Sequence, residues 1–152
     1  MPARPGALTI AFFGSSLVSS YWNGAATYYR GLLAALHERG HRATFYEPDA
    51  YDRQAHRDLA DPPWARSVVY ANDEAAVRAA LREAAGADVV VKASGVGVFD
   101  ELLEREVLAL RSPRTLVVYW DVDAPATLDR IARDPADPLR ALVPRYDLVV
   151  TY

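Results

Sequence analysis

Cysteine is absent from the 152 residues. That removes disulfides and thiolate metal sites and fits a reducing compartment. Lysine is nearly absent: of 17 basic residues only Lys92 is a lysine. A basic field is missing too, because the net charge is −3, so nucleic acid is not expected as a partner. No apolar run approaches the length of a membrane span or a signal-peptide core. Leu8 to Phe13 is short and contains Thr9, so no transmembrane segment is expected and the chain reads as cytoplasmic. Several catalytic signatures are lacking as well. No G-x-G-x-x-G follows the first apolar run, no G-x-S-x-G elbow occurs, and no acidic pair of the receiver type stands after it. His37, His41 and His56 have neither metal nor triad spacing and read as surface residues.

What remains is an alternation of apolar strands and amphipathic helices. Leu8–Phe13 is apolar on both faces, as a central parallel strand requires. Gly14 permits a sharp exit, a long small-residue loop follows, and Tyr29, Leu32, Leu33 and Leu36 mark one helical face over 24–39, ended by Gly40. Arg42–Glu47 is the second strand, stopped by Pro48. Residues 49–65 form a polar excursion with one helical turn near 52–58. Ser67–Tyr70 is the third strand, and Asn72 caps a helix whose stripe is Ala76, Val77, Ala80, Leu81 and Ala84. Asp88–Ala93 is the fourth strand, followed by the Ser94-Gly95-Val96-Gly97 turn and a helix carrying Phe99, Leu102, Leu103, Val107 and Leu110. Thr115–Trp120 is the fifth strand. Two short helices and a sixth strand, Asp147–Tyr152, complete the pattern. This predicts one α/β domain: a doubly wound, mostly parallel Rossmann-like sheet of about six strands, order 3-2-1-4-5-6, with helices on both faces. The switch point falls between strands one and four, where ligands bind in open sheets. The last strand, exposed as an edge, suggests that 1–152 is one half of a longer protein.

Three groups are candidates for chemistry. Asp121-Val122-Asp123 is a D-x-D that could hold a divalent metal against a diphosphate, or one aspartate could cap the helix entered at Pro125. Lys92, near the end of a central strand, either snorkels to solvent or meets a phosphate or other substrate anion. Glu47 ends strand two where a ribose-binding acid would sit, but without the glycine fingerprint a dinucleotide site is poorly supported. Tyr21, Trp22 and Trp64 could stack on a sugar ring, although packing against protein explains such aromatics more simply.

The run IAFFGSSLVSSYWNGAATYYRGLLAALHERGHRATFYEPDAYDRQ, together with VVKASGVGVFD and LVVYWDVDAPATLDR, resembles the N-terminal half of the CgeB-like (spore maturation protein-like) glycosyltransferases. The resemblance extends over Ile10 to Tyr152. It implies GT-B architecture, with two Rossmann-like domains facing a cleft. The N-terminal one receives the acceptor, and a C-terminal donor domain, absent here, holds the nucleotide sugar. It further implies substrate contacts at Gly14, Ser15, Ser16, Asn23 and Gly24, with Ser94, Gly95, Asp121 and Asp123 lining the same cleft. Asp121 or Asp123 would be the general base. Such enzymes usually need no metal or cofactor beyond the nucleotide-sugar donor, and the N-terminal half alone would be inactive. The alternative is a non-catalytic Rossmann-like module that binds a small ligand or a protein through the same crevice.

Overall fold

The computed structural model describes residues 6–151, so Tyr152, the predicted end of the sixth strand, lies outside the described residues. Six strands form one parallel sheet: β1 (Thr9–Phe13), β2 (Arg42–Pro48), β3 (Arg66–Tyr70), β4 (Val89–Ala93), β5 (Leu116–Asp121) and β6 (Leu148–Thr151). Their order is β3-β2-β1-β4-β5-β6, as the alternation of elements predicts. β1 lies at the centre, with Phe12 opposite Phe45 on one side and Val91 on the other. Its two apolar faces feed two cores. Ile10 and Phe12 join Tyr29 and Leu33 of α1 (Ala25–Glu38). Ala11 and Phe13 join the opposite core, which takes Val77 and Leu81 of α2 (Glu74–Ala84), Leu103 of α3 (Asp100–Glu106) and Leu139 of α5 (Pro138–Leu142).

Carboxylates at the amino ends of the strands set the register. Asp88 accepts from both the N–H and the hydroxyl of Thr9, at 2.8 and 2.9 Å, and so ties β4 to β1. These bonds hold its carboxyl below the usual range. Asp147 does the same for β5 and β6, accepting from Val117 N–H at 2.8 Å.

Two sequence-level expectations need correction. Asp73, not Asn72, caps α2: its backbone is extended and its carboxylate accepts from Ala76 N–H at 2.8 Å. A carboxylate there also complements the helix dipole, which an amide does not. β2 runs through Pro48 rather than stopping before it; a proline can end a strand because the ladder asks nothing further of its nitrogen. One helix is unlike the others. α4 (Ala124–Arg133) has no buried residue and leans on the body through Ile131. Polar ties fix it: Thr127 to Asp121, and Arg130 to Glu104 and Asp137.

Gly14 is required by close approach. A Cβ there would drive into the ring of Phe45, a wholly buried side chain stacked on Phe12 at 5.3 Å. Gly14→Ala is therefore expected to cost about 1–3 kcal/mol by overpacking. In urea denaturation, Phe45→Leu should recover part of that loss in the double variant; additive losses would show that the ring is not the obstacle.

Candidate functional site

The carboxyl ends of β1, β4 and β5 stand side by side, so the sheet brings Gly14, Ser94 and Asp121 to one edge. Backbone strain is concentrated at the same end. Four described non-glycine residues have left-handed φ: Trp22 (46°), Tyr51 (57°), Asp52 (58°) and Phe99 (56°). All four lie in loops that leave β1, β2 and β4. Such conformations cost on the order of 1–3 kcal/mol each and cluster where structure serves a ligand.

The loop from Gly14 to Gly24 is folded onto buried polar groups. Ser15 donates to Asn23 Oδ1 at 2.7 Å, and Asn23 Nδ2 donates to the carbonyls of Ser16 and Ser19, both at 2.9 Å. Glu47, wholly buried at the end of β2, accepts from Ser16 Oγ (3.0 Å), Leu17 N–H (2.5 Å) and Gln54 Nε2 (2.7 Å). The acid that would bind a ribose in a dinucleotide fold is thus engaged by the protein's own loop. Arg53, in the short 3-10 turn Arg53–His56, holds the same loop by its carbonyls. It is 7% exposed and donates to the carbonyls of Ser15, Tyr21 and Trp22 at 3.3–3.4 Å. Burial lowers its pKa, and no carboxylate lies within ion-pair distance of it among the described residues.

Across the crevice, the β2–β3 excursion reaches the β4–α3 turn. Tyr51 donates to Gly97 carbonyl at 2.6 Å, and its ring lies 4.9 Å beneath the Arg53 guanidinium. Gly97, at φ +103°, could carry no side chain, because a Cβ would meet Tyr51 Cε2 at 2.7 Å. Ser94 donates to Asp121 Oδ1 at 3.0 Å and accepts from Val122 N–H at 2.8 Å. Asp121 Oδ1 also receives Asp123 N–H and the Thr127 hydroxyl, at 3.1 and 2.9 Å. Asp121 is therefore a buried knot between β5 and α4. Asp123, exposed, is the helix cap, accepting from Ala126 N–H at 3.1 Å. Gly24 and Gly95 sit on the crevice loops without close neighbours to their α-carbons other than Val122 at 3.8 Å from a Cβ built on Gly95.

Lys92 departs from the expectation of a snorkelling or substrate-contacting lysine. It is fully buried, and its ammonium donates to Ala93 carbonyl (2.5 Å) and Asp100 Oδ1 (2.7 Å). Its strand position points it into the α2/α3 core beside Phe13's partner row rather than into the crevice. Asp100 also accepts the N–H groups of Val96 and Gly97, at 3.1 and 2.8 Å. Burial raises the Asp100 pKa, but Lys92 and these donors outweigh it and leave the carboxyl below its ordinary value. Deeper still, Glu104 meets Arg130 at 3.3 Å, while its second oxygen is buried without a partner; burial drives its pKa up.

Tyr51, Arg53 and Asp100 were not singled out by sequence reasoning. The only signal for the first two was the excursion itself, a polar stretch that replaces the crossover helix between β2 and β3; nothing within it marks either residue. Asp100 follows no motif. Of the aromatics, Tyr21 and Trp22 lie at this end of the sheet, whereas Trp64 lines a concavity of about 610 Å³ at the amino end, where β3 begins only at Arg66 and leaves the start of β2 bare. None of the four left-handed residues lines that hollow, and of the candidate residues only Trp64 does. A smaller one, about 470 Å³, borders Gly97, Phe99 and Asp100. Among the described residues no three histidine or acidic side chains gather as metal ligands, and no helix is long and apolar enough to cross a membrane.

No family model matches this chain, and no curated protein matches it. Among solved structures it is similar to BdcA (YjgI) from E. coli, with a TM-score of 0.54 and 18% identity over 98% of this chain and 83% of that one. At that identity the likeness shows the fold alone, a Rossmann-like α/β sheet.

Two expectations follow from the buried charges. Asp100→Asn strands the Lys92 ammonium and should cost about 3–5 kcal/mol at pH 7, whereas Lys92→Met removes the buried charge itself and should cost less. Because the folded Asp100 pKa is depressed, its stabilisation is complete above the unfolded carboxylate value, about 4, and is lost as pH falls through the folded value. Urea midpoints for Asp100→Asn and wild type should therefore converge in acid; a constant gap would exclude the linkage. Separately, Glu47→Ala should accelerate amide exchange at Leu17 and Ser19 far more than at Ala11 in β1. Uniform acceleration would mean that Glu47 stabilises the whole domain rather than the loop.

Proposed function

We propose that this chain is the acceptor-side, Rossmann-like domain of a two-domain GT-B glycosyltransferase of the CgeB-like kind, moving a sugar from a nucleotide-sugar donor to an acceptor. The observation that carries this reading is the long β1–α1 loop held open by Glu47 and Arg53, at the end of the sheet where strain is concentrated. A dinucleotide site calls instead for a short glycine turn and a free acid at the end of strand two. On this reading the acceptor lies over Gly14–Gly24 and Ser94–Gly95, and the donor diphosphate is gripped by a second domain. Lys92 is a positioning residue that fixes the β4–α3 turn through Asp100.

Of the two proposed bases, Asp123 is the better placed. Asp121 Oδ1 already collects three donors and the side chain is buried, whereas Asp123 is exposed at the mouth and uses one oxygen for its helix. In the reaction the acceptor hydroxyl loses its proton to the carboxylate as its oxygen bonds to the anomeric carbon. The bond to the nucleoside diphosphate breaks, and that group leaves with the electron pair. A second reading, ligand binding without catalysis, is favoured by one fact: both aspartates already serve the architecture.

Release of nucleoside diphosphate from a panel of nucleotide sugars by the full-length protein separates these readings. Asp123→Asn should lower turnover by about 10²–10⁴-fold with little change in melting temperature, since asparagine caps helices nearly as well as aspartate. Residues 1–152 alone should release none. Full activity in both Asp121→Asn and Asp123→Asn would eliminate the base, and no turnover with any donor would leave the binding module.

A further inference from the structure

Trp22 combines two unfavourable features. It is 83% exposed, the most of any large hydrophobic residue described, and its backbone is left-handed at φ 46°. Bulky side chains avoid that conformation, and indoles generally find apolar contact. The turn that displays it is not loose. Arg53 clamps the carbonyls of Tyr21 and Trp22 from beneath, at 3.4 and 3.3 Å. The Tyr21 ring lies flat on His56, with centroids 3.9 Å apart and planes 7° from parallel, and it meets the Trp22 ring edge-on at 6.2 Å. A buried cation, a stacked pair and a strained residue therefore combine to hold one aromatic face outward at the crevice mouth.

We propose that Trp22 is a preorganised platform on which a pyranose ring of a carbohydrate stacks. The apolar C–H face of a pyranose suits a single flat π-surface. On the far side of the stacked pair stands a carboxylate, Asp52, whose side chain is 71% exposed and lies 3.3 Å from the His56 that stacks on Tyr21. A carboxylate accepts from sugar hydroxyls and repels a phosphate or carboxylate ligand. An ammonium ligand would be better served by two or three converging aromatic faces, whereas Tyr21 offers Trp22 only an edge-on arrangement and is itself covered by His56. Tyr51, half exposed and fixed to Gly97, lies against the same Arg53 that holds the Trp22 carbonyl. This inference rests on the acceptor-side reading for its place in a reaction, but its test is binding alone.

The probes are methyl α- and β-pyranosides of glucose, galactose and mannose, titrated into the ¹⁵N-labelled chain. The indole N–H resonances report all three tryptophans, of which Trp64 and Trp120 are half-buried. The expected result is saturable movement of the Trp22 indole resonance with at least one pyranoside, while the other two indoles stay still. Trp22→Ala should weaken that binding by about tenfold or more, Trp22→Phe should keep part of it, and neither should lower the melting temperature. Four outcomes overturn the proposal: no pyranoside moves the resonance, choline moves it instead, it moves with protein concentration alone, or Trp22→Ala melts several degrees lower, which would make the residue structural. Pyranoside binding without nucleotide-sugar turnover removes the catalytic reading and leaves the platform. Turnover with a silent Trp22 does the reverse.

Discussion

Two buried side chains of opposite charge hold the loop between β1 and α1, and the crevice depends on them. Glu47 takes up donors, the Ser16 hydroxyl and the Leu17 N–H, while Arg53 takes up acceptors, the carbonyls of Ser15, Tyr21 and Trp22. A loop that dips beneath the surface must find partners for its backbone groups, and here each charge supplies those the other cannot. Neither forms a direct ion pair with the other; each is neutralised largely by dipoles, with Glu47 adding a longer-range attraction for Arg53. In a low-dielectric setting such charge-assisted bonds are stronger than neutral ones, and losing one partner is correspondingly costly.

The same pair changes the chemical character of the strand ends. In a dinucleotide fold the helix approaches β1 through a tight glycine turn, and the acid after the second strand faces the ligand. Here the loop is long, the acid faces the loop, and the space above Gly14 is bounded by protein groups whose hydrogen bonds are already made. The two walls of the crevice also differ in kind. The Gly14–Gly24 wall is tied into a core through Leu17, Tyr29 and Phe45. The Asp121–Asp123 wall continues into α4, which buries no side chain and is fastened by Thr127 and Arg130. Local openings cost least where apolar burial is least, so any motion that admits a ligand belongs on the α4 side, the side that carries Asp123.

Much of this was legible in the chain because the strands are apolar in ways that topology alone explains. A run such as Leu8–Phe13 has no polar face to turn toward water, so it must be central, and the crossover rules then order its neighbours. The D-x-D was legible in part: Pro125 marks a helix entrance, but the side-chain bonds of the fold are what make Asp123, and not Asp121, its cap. Lys92 was less legible. Its partner Asp100 lies eight positions away at the start of a short helix, and nothing in a strand of valines says whether an ammonium escapes to solvent or is met from inside. Arg53 was hidden for a related reason. An arginine in a polar stretch reads as solvated, and only the fold reveals that the excursion turns inward beneath the first loop. The asparagine of the Asn72-Asp73 pair is a good cap in isolation; the backbone's exit from β3 decides for its neighbour.

The distribution of left-handed residues separates scaffold from site. At the amino end, the turns after α1 and α2 use Gly40 and Gly86 at φ 91° and 87°, where the conformation is free of steric cost. At the carboxyl end Gly95 and Gly97 also take positive φ, but there the same region of backbone space is occupied besides by a tryptophan, a tyrosine, an aspartate and a phenylalanine. Glycine would relieve the strain at each of these four, so the side chains themselves must be what those positions require. For Tyr51 the requirement is visible, since its hydroxyl closes on Gly97. Phe99 packs against the α2/α3 core at the head of α3. Trp22 shows no such internal use among the described residues, where its ring meets the edge of Tyr21 and is otherwise largely exposed. A strained residue that serves the interior is architecture; one that is clamped in place and presented outward is there for something that comes from outside.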